Sequence, residues 1–510
     1  MREEQNGKVE EVSAVCVPVT DVTFSSEAGE DVSLPDYYPE IRHVVSVFSR
    51  VLPESRFLSG KTLELDGTVC SSVLYLGEDG GLCCVPISTE YTAQTAVPED
   101  VTAAGLFTDT RLENTSCRVT GPRKLSLKYR LRHRVLALEE IASSPRMADM
   151  DGERLSGGEM LSVEKHECEI PGVRMMGGRV TANVAGVLHE KAGMKPVMCD
   201  GEIRISEARA VEDAVLVRGE AMLKALFYTP DGNYAVSRGK TSFEETVPVT
   251  GAAEGDNARC EGRCASASLS PDEGGSGEYA WDMEFDLDAE VQRSCPAVVT
   301  DDAYSTAAET VLSYAEREVL SPSRCAVGTL SVSGSGRGKA PDGESGDLIG
   351  LWAEAEPENL SSGNGRLILT GACRVKALCR GGGDAWCEEF SVPFRYECDG
   401  GASDDVTWRG DVAVTEISGR MDGDKIAVNA ELGISLSVMG RDKRRYVAEI
   451  KADRTQPIAE SDGVWKLCYP GAGERLWDVA KRYHADLAEL GERNGIASPD
   501  DPAGKAVLVE

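Results

Sequence analysis

Apolar and polar residues alternate with period two along most of this chain. Leu125, Leu127, Tyr129, Leu131, Val135 and Ala137 alternate with polar neighbours. So do Trp281, Met283, Phe285, Leu287, Ala289 and Val291, and again Ile426, Val428, Ala430, Leu432, Ile434, Leu436 and Val438. A period of two held over this length predicts half-buried strands. A second pattern precedes each run. Leu65–Gly80, Val217–Gly232 and Leu369–Gly383 each read strand, glycine, strand and Gly-rich turn. A further strand-like run follows each, at Gly81–Tyr91, Asn233–Val247 and Asp384–Tyr396. Asp-Gly or Gly-Gly between two such runs predicts a β-hairpin, because these residues tolerate positive φ.

The key glycines are Gly67, Gly219 and Gly371, separated by 219 − 67 = 152 and 371 − 219 = 152. That period is too long for a solenoid and fits tandem domains. Copies are expected at 1–148, 149–300 and 301–456. Asp272–Gly277 and Ser333–Gly338, rich in Gly and Ser, are expected as turns or flexible loops. Ala307, Val311 and Tyr314 recur at helical spacing, so a helix is expected over Asp302–Glu318.

From Val464 the period changes. Leu476, Val479, Ala480 and Tyr483 share one face of a short amphipathic helix. Asp486 and Glu489 mark the start of a second helix, with Leu487 and Leu490 on its inner side, and Asn494-Gly495 ends it. Trp465–Tyr469 and Ala506–Val509 read as a pair of strands, giving β-α-α-β over 463–510. The predicted class is therefore mainly β, with three β-rich copies and one small βααβ module.

Composition narrows the partners. Lys and Arg number 54 against 86 Asp and Glu, a net charge of −32, and 41% of residues are hydrophobic. There is enough apolar material for several cores, and nucleic acid or an anionic membrane is disfavoured as a partner. The first eight residues are polar, and no apolar run of signal-peptide or membrane-spanning length appears. No membrane insertion is expected, and the chain is expected to stay in the cytoplasm of the cell that makes it.

Local charge is uneven. The closing strand of copy one carries Lys128, Arg130, Arg132 and Arg134, whereas that of copy two carries Asp282, Glu284, Asp286, Asp288 and Glu290. Either each is a solvated strand face, or the two faces meet. Sixteen cysteines are scattered, with Cys83-Cys84 and Cys260-x3-Cys264 as the only close pairs. No CxxC knuckles and no His at ligand spacing support a metal site. The cysteines read as small core residues in a reducing compartment, with metal or redox roles as the alternative.

Leu34-Pro35-Asp36-Tyr37-Tyr38-Pro39-Glu40-Ile41, followed by the Gly67 hairpin, resembles the SPOCS domain (DUF3794-like) of spore-coat proteins. Asp302-Ala303-Tyr304-Ser305 resembles a similar lead-in to the third copy, while the second has Asp149-Met150-Asp151 in that place. Copy one matches best. The C-terminal segment is similar to LysM, with Leu476-Trp477, Ala480, Tyr483, Asn494, Gly504 and Leu508 in the family's places. Glu474-Arg475 replaces the family's Asp-Thr pair, and its closing Pro has no counterpart.

The LysM resemblance implies a shallow groove for N-acetylglucosamine glycans. Its walls would be Gly473, Glu474, Arg475 and Leu476, facing Asn494, Gly495, Ile496 and Ala497. Arg475 at the lip suits protein recognition better than sugar. Trp477 is either core or a sugar platform, and large aromatics mostly pack. Three SPOCS-like copies before a LysM-like module imply a spore-coat morphogenesis scaffold, working in the mother cell at the forespore surface. The implied partner is the spore coat morphogenetic ATPase (SpoIVA-like), with other coat proteins or peptidoglycan glycan as further partners. No HExxH, GxSxG, phosphate loop or Cys/His/Asp set appears, so no enzyme, cofactor or metal is expected.

Overall fold

The computed structural model describes residues 14–98, 101–102, 105–150, 162–272, 276–339, 346–381, 384–400, 405–458 and 464–509. The class is mainly β, with 77% strand and, among the described residues, two helices. The first third runs β1 (Ala14–Ser33), β2 (Ile41–Val51), β3 (Ser55–Ser59), β4 (Thr62–Gly77), β5 (Leu82–Ala96), β6 (Leu106–Gly121), β7 (Lys124–Ala142) and β8 (Arg146–Asp149). The second runs β9 (Val163–Ile170), β10 (Val173–His189), β11 (Lys195–Val211), β12 (Ala214–Tyr228), β13 (Tyr234–Pro248), β14 (Asn257–Pro271) and β15 (Glu278–Ser294). The third runs β16 (Ala297–Ser305), β17 (Ala308–Arg337), β18 (Asp347–Gly363), β19 (Arg366–Gly381), β20 (Asp384–Asp399), β21 (Val406–Asp422) and β22 (Lys425–Pro457). A small module closes the chain with β23 (Lys466–Cys468), α1 (Leu476–Tyr483), α2 (Leu487–Asn494) and β24 (Val507–Val509).

One pairing plan recurs. The sheets β1-β7-β6, β10-β15-β14 and β17-β22-β21 each place the last long strand between the first and the penultimate one. The hairpin sheets β2-β4-β5, β11-β12-β13 and β18-β19-β20 pack against them, with β2 on β6, β11 on β14 and β18 on β21. This is sheet-on-sheet packing, which explains the alternation: β7, β15 and β22 bury every second residue between layers.

The recurrent glycines have a mechanical reason. Gly67, Gly219 and Gly371 sit directly opposite Tyr91, Phe243 and Phe394 on the neighbouring strand. A Cβ at Gly67 would come within 2.5–2.8 Å of the Tyr91 ring and hydroxyl, and a Cβ at Gly219 or Gly371 within 2.5–2.9 Å of the Phe ring. Each aromatic lies over its glycine, filling the space a side chain would take.

The three thirds close into a ring. Leu74, Leu226 and Leu378, each 152 residues from the next, meet in one buried cluster with Leu76, Met198 and Trp352. Lys224 of the second third donates to Leu351 O of the third at 2.8 Å and lies 5.3 Å from the Trp352 ring. Lys376 of the third repeats this on the first, donating to Val47 O with its ammonium 5.1 Å from the Phe48 ring. Between first and second thirds the equivalent positions are Ser72 and Asp200, and there Arg50 pairs with Asp200 at 2.8 Å. Two joints thus use a cation over an aromatic ring and one uses an ion pair.

Several expectations change. Residues 302–318 form no helix: they belong to β16 and β17, and β17 pairs along β22. Long-range ladder hydrogen bonds overrule a weak helical period there, and Val311 and Tyr314 end up exposed. Ser333–Arg337 is not a loop but the end of β17. Its glycines are packing devices, since a Cβ at Gly334 would lie 2.4 Å from Val392 Cγ2 and one at Gly336 2.3 Å from Phe390 Cδ1. The Tyr-containing segment Leu34–Ile41 follows β1, whereas Asp302–Ser305 lies in β16, ahead of β17, so the two are not counterparts. Asp149 ends β8 and Met150 follows it, while Asp151 lies outside the described residues, as do Gly274, Gly275, Gly382 and Gly383.

The two charged faces do not pair with each other. Arg130, Arg132 and Arg134 engage Glu113, Glu356 and Asp21, while Asp288 and Glu290 engage Arg179 and Arg259 with Arg409. The cysteines whose side chains are described, all but Cys325, are free thiols. Burial pushes the Cys84 and Cys379 thiols up to about 12, as suits inert core residues.

Candidate functional site

The C-terminal module builds its own small core from Cys468, Leu476, Trp477, Val479, Ala480, Leu490, Val507 and Val509. Its element order is β-α-α-β, with β23 and β24 paired antiparallel. Asp486 caps α2 by accepting from Glu489 N at 2.9 Å, and Gly495 ends it at φ +69°. Asp478 accepts from Arg475 N at 3.1 Å and closes the first turn of α1.

The eight groove positions have distinct environments. Gly473, Gly495 and Ala497 are exposed. Glu474 is tied to Arg482, and Arg475 to Asp478 and Asp500 at 3.2 and 3.0 Å. Leu476 is buried in the core. Asn494 pins α2 to β24: its amide donates to Leu508 O at 3.0 Å, and its carbonyl accepts from Leu508 N at 2.8 Å. Leu476 and Ile496 both abut Gly491, so the two loops converge there. Trp477 is fully buried and donates from Nε1 to Asp302 Oδ2 at 2.9 Å.

That last bond belongs to a seat which no local pattern announces. The two-stranded sheet of β9 and β16 holds the module along α1. Asp302 also takes Lys481, Tyr304 donates to Ala485 O at 2.7 Å, and His484 Nδ1 lies 2.9 Å from Ser305 O. His166, from β9, bridges Asp301 at 2.5 Å and the module's Asp500 at 2.9 Å, with its ring 5.1 Å from that of Trp477. Burial alone would lower the His166 pKa, but the hydrogen bonds to Asp301 and Asp500 outweigh it and raise the pKa above its ordinary value. Burial likewise opposes ionisation of Asp302, yet bonds from Lys481 and Trp477 hold its carboxyl below the usual range. Sequence separations of 135–334 residues put these partners beyond any motif.

Leu467 in β23 and its flanking residues Trp465 and Tyr469 are 54%, 50% and 72% exposed, while Cys468 is buried. Arg493 stacks 4.4 Å from the Trp465 ring. Three exposed apolar side chains thus fall within five residues of the chain, unlike singly scattered surface hydrophobics. Among the described residues no group of three or more His, Cys, Asp or Glu is placed to hold a metal ion, and no helix is long and apolar enough to cross a membrane.

Residues 195–270 match the family model for SipL, SPOCS domain. The matched segment is β11 to β14, the hairpin sheet and its packing strand in the second third. The sequence pattern had pointed first to copy one, on the Tyr-containing segment at Leu34–Ile41. The match falls instead on the unit recognised by its hairpin. It supports a SPOCS domain over 195–270 and suggests a sporulation-related protein. No curated protein and no solved structure matches the chain.

Proposed function

We propose that this chain is a non-enzymatic scaffold of spore-coat morphogenesis. It consists of three tandem SPOCS-like domains at 1–148, 149–300 and 301–456 and a LysM-like docking module at 463–510. It works in the mother cell at the forespore surface, and the module binds the coat morphogenetic ATPase (SpoIVA-like) while the ring offers contacts to other coat proteins. One observation carries the docking role. The module is seated on the ring through α1, and Trp465, Leu467 and Tyr469, in and beside β23, are exposed. Exposed aromatics beside an Arg are the residue types that dominate protein interfaces. Purified full chain should capture the purified ATPase, and Trp465→Ser/Leu467→Ser/Tyr469→Ser should abolish capture without changing the thermal midpoint. Undiminished capture by that variant refutes the assignment.

A second reading is glycan binding in the LysM-like groove. Exposed Gly473, Gly495 and Ala497 on converging loops favour it. Binding to purified sacculi that chitin oligosaccharides displace would support it, and no retention on sacculi would end it.

A further inference from the structure

Two charge clusters draw residues from distant parts of the chain. Around a central cavity of about 490 Å³, Arg111 and Arg263 tie together Asp109, Glu261 and Asp411 of the three thirds, so these charges answer one another. The second cluster lies at the module's seat and is completed by a group that loses its charge near neutral pH. His166 is 7% exposed, and each of its ring nitrogens faces a carboxylate. Nδ1 lies 2.5 Å from Asp301 Oδ1, and Nε2 lies 2.9 Å from Asp500 Oδ1. A neutral imidazole has one N–H and one lone pair, so either tautomer would turn a lone pair on a carboxylate oxygen. Both contacts are attractive only when the ring is an imidazolium.

The two bonds do different jobs. Asp301 lies in β16, paired with the strand that carries His166, whereas Asp500 belongs to the module. Asp500 Oδ1 also accepts from Arg475 Nη1 at 3.0 Å. The loop around Asp500 is laced to the start of α1. Trp477 N donates to Pro499 O at 3.0 Å, Leu476 N to Asp501 O at 3.0 Å, and Ala503 N to Glu474 O at 2.8 Å. Through one side chain, His166 thus fastens to the ring the loop that holds residues 474–477.

The other seat contacts survive a neutral His166. Asp302 is held by Trp477 Nε1 and Lys481, and Tyr304 donates to Ala485 O. His484 sets Nδ1 2.9 Å from Ser305 O and Nε2 3.7 Å from Glu309, and a neutral ring with its proton on Nδ1 still serves that carbonyl. Glu164 accepts from Leu487 N and faces Asp486. Asp478, paired with Arg475, and Cys168, near Asp301 and Arg444, complete the charged surroundings. The acids gain charge as pH rises, the opposite sense to His166.

We propose that His166 is a proton-operated clasp. As an imidazolium it ties the 498–503 loop of the module to the ring. As a neutral ring it lets that loop and the first turn of α1 loosen, while Asp302 and Tyr304 keep the module seated.

Hydrogen exchange of the full chain between pH 6 and 9, corrected for the intrinsic pH dependence of exchange, tests this. Protection of the 498–503 loop should fall about tenfold as pH rises, the equivalent of one charge-assisted hydrogen bond, while that of β4 and β19 holds. His166→Gln and Asp500→Asn should each lower protection at pH 6 and leave it level across the range, because an amide faces either partner without a change of charge. His484→Asn, which suits the φ of +52° at that position, should keep the fall seen in the parent. A level profile in the parent, an unchanged fall in His166→Gln or Asp500→Asn, loss of the fall in His484→Asn, or a fall shared by β4 and β19 overturns the proposal.

Discussion

Arg263 is the best place to perturb the ring. Its guanidinium lies between two carboxylates, Asp109 of the first third and Glu261 of its own, at 3.2 and 2.8 Å, and also reaches Thr110 O at 3.5 Å. Arg263→Met keeps most of the side-chain volume and removes the charge. Two acids are then left close together, with Arg111 at 2.8 Å from Asp109 and Arg259 at 3.7 Å from Glu261 as the remaining cations. Breaking a buried ion pair by deleting one partner costs about 3–5 kcal/mol, because the other charge stays buried and uncompensated. Arg263 is 22% exposed toward the cavity, so some water reaches the site and about 3 kcal/mol is the fitting figure.

The assay is equilibrium urea unfolding followed by tryptophan fluorescence, with parent and variant fitted to the same scheme. The double variant Arg263→Met/Glu261→Gln should recover part of the loss, since it removes one orphaned acid. Acid unfolding gives an independent reading. Burial raises the Asp109 pKa, but Arg111 and Arg263 outweigh it and hold the carboxyl far below the usual range. A depressed acid contributes stability that is present above its unfolded pKa and lost as pH falls through the folded one. Removing Arg263 raises that folded pKa, so the variant should unfold at higher pH than the parent. A loss below about 1 kcal/mol with an unmoved acid midpoint refutes the network's role, because it would place the acids in bulk-like water.

Three further outcomes follow from other parts of the fold. His166, whose folded pKa is raised, contributes to seating the module fully below its unfolded pKa near 6.5 and loses that contribution as pH rises through the folded value, so protection of the α1 amides from hydrogen exchange should fall with rising pH in the parent and lose this dependence in His166→Gln. Burial lowers the Lys224 pKa to about 8 from 10.5, so the unfolded chain binds the extra proton between those values; this group's contribution to stability should rise across that window, and Lys224→Met should remove that rise from the urea midpoint. Gly219→Ala and Gly371→Ala would drive a Cβ to 2.3 and 2.2 Å from the backbone carbonyls of Arg204 and Glu356, whereas Gly67→Ala meets only the movable end of Tyr91; by urea unfolding the first two should cost about 1–3 kcal/mol and Gly67→Ala less, and equal costs would contradict the packing argument.

What was legible in the sequence is what depends on local pattern. Period two marked β7, β15 and β22, because a strand between two layers must alternate. The 152-residue spacing of Gly67, Gly219 and Gly371 marked three hairpins, because an aromatic on the paired strand leaves room only for glycine. Capping residues and helical period marked α1 and α2. What the tertiary structure decided depends on residues far apart in the chain. Ladder pairing with β22 turned 308–318 into strand against its own periodicity. Tyr396, Val392 and Phe390 closing over Gly328, Gly334 and Gly336 turned a Gly/Ser run from loop to strand. The joints of the ring, the axial meeting of Asp109, Glu261 and Asp411, and the seating of Trp477 on Asp302 rest on contacts between residues 127 or more apart. Such contacts leave no period behind, because each needs only one suitable side chain and a fold that brings it there.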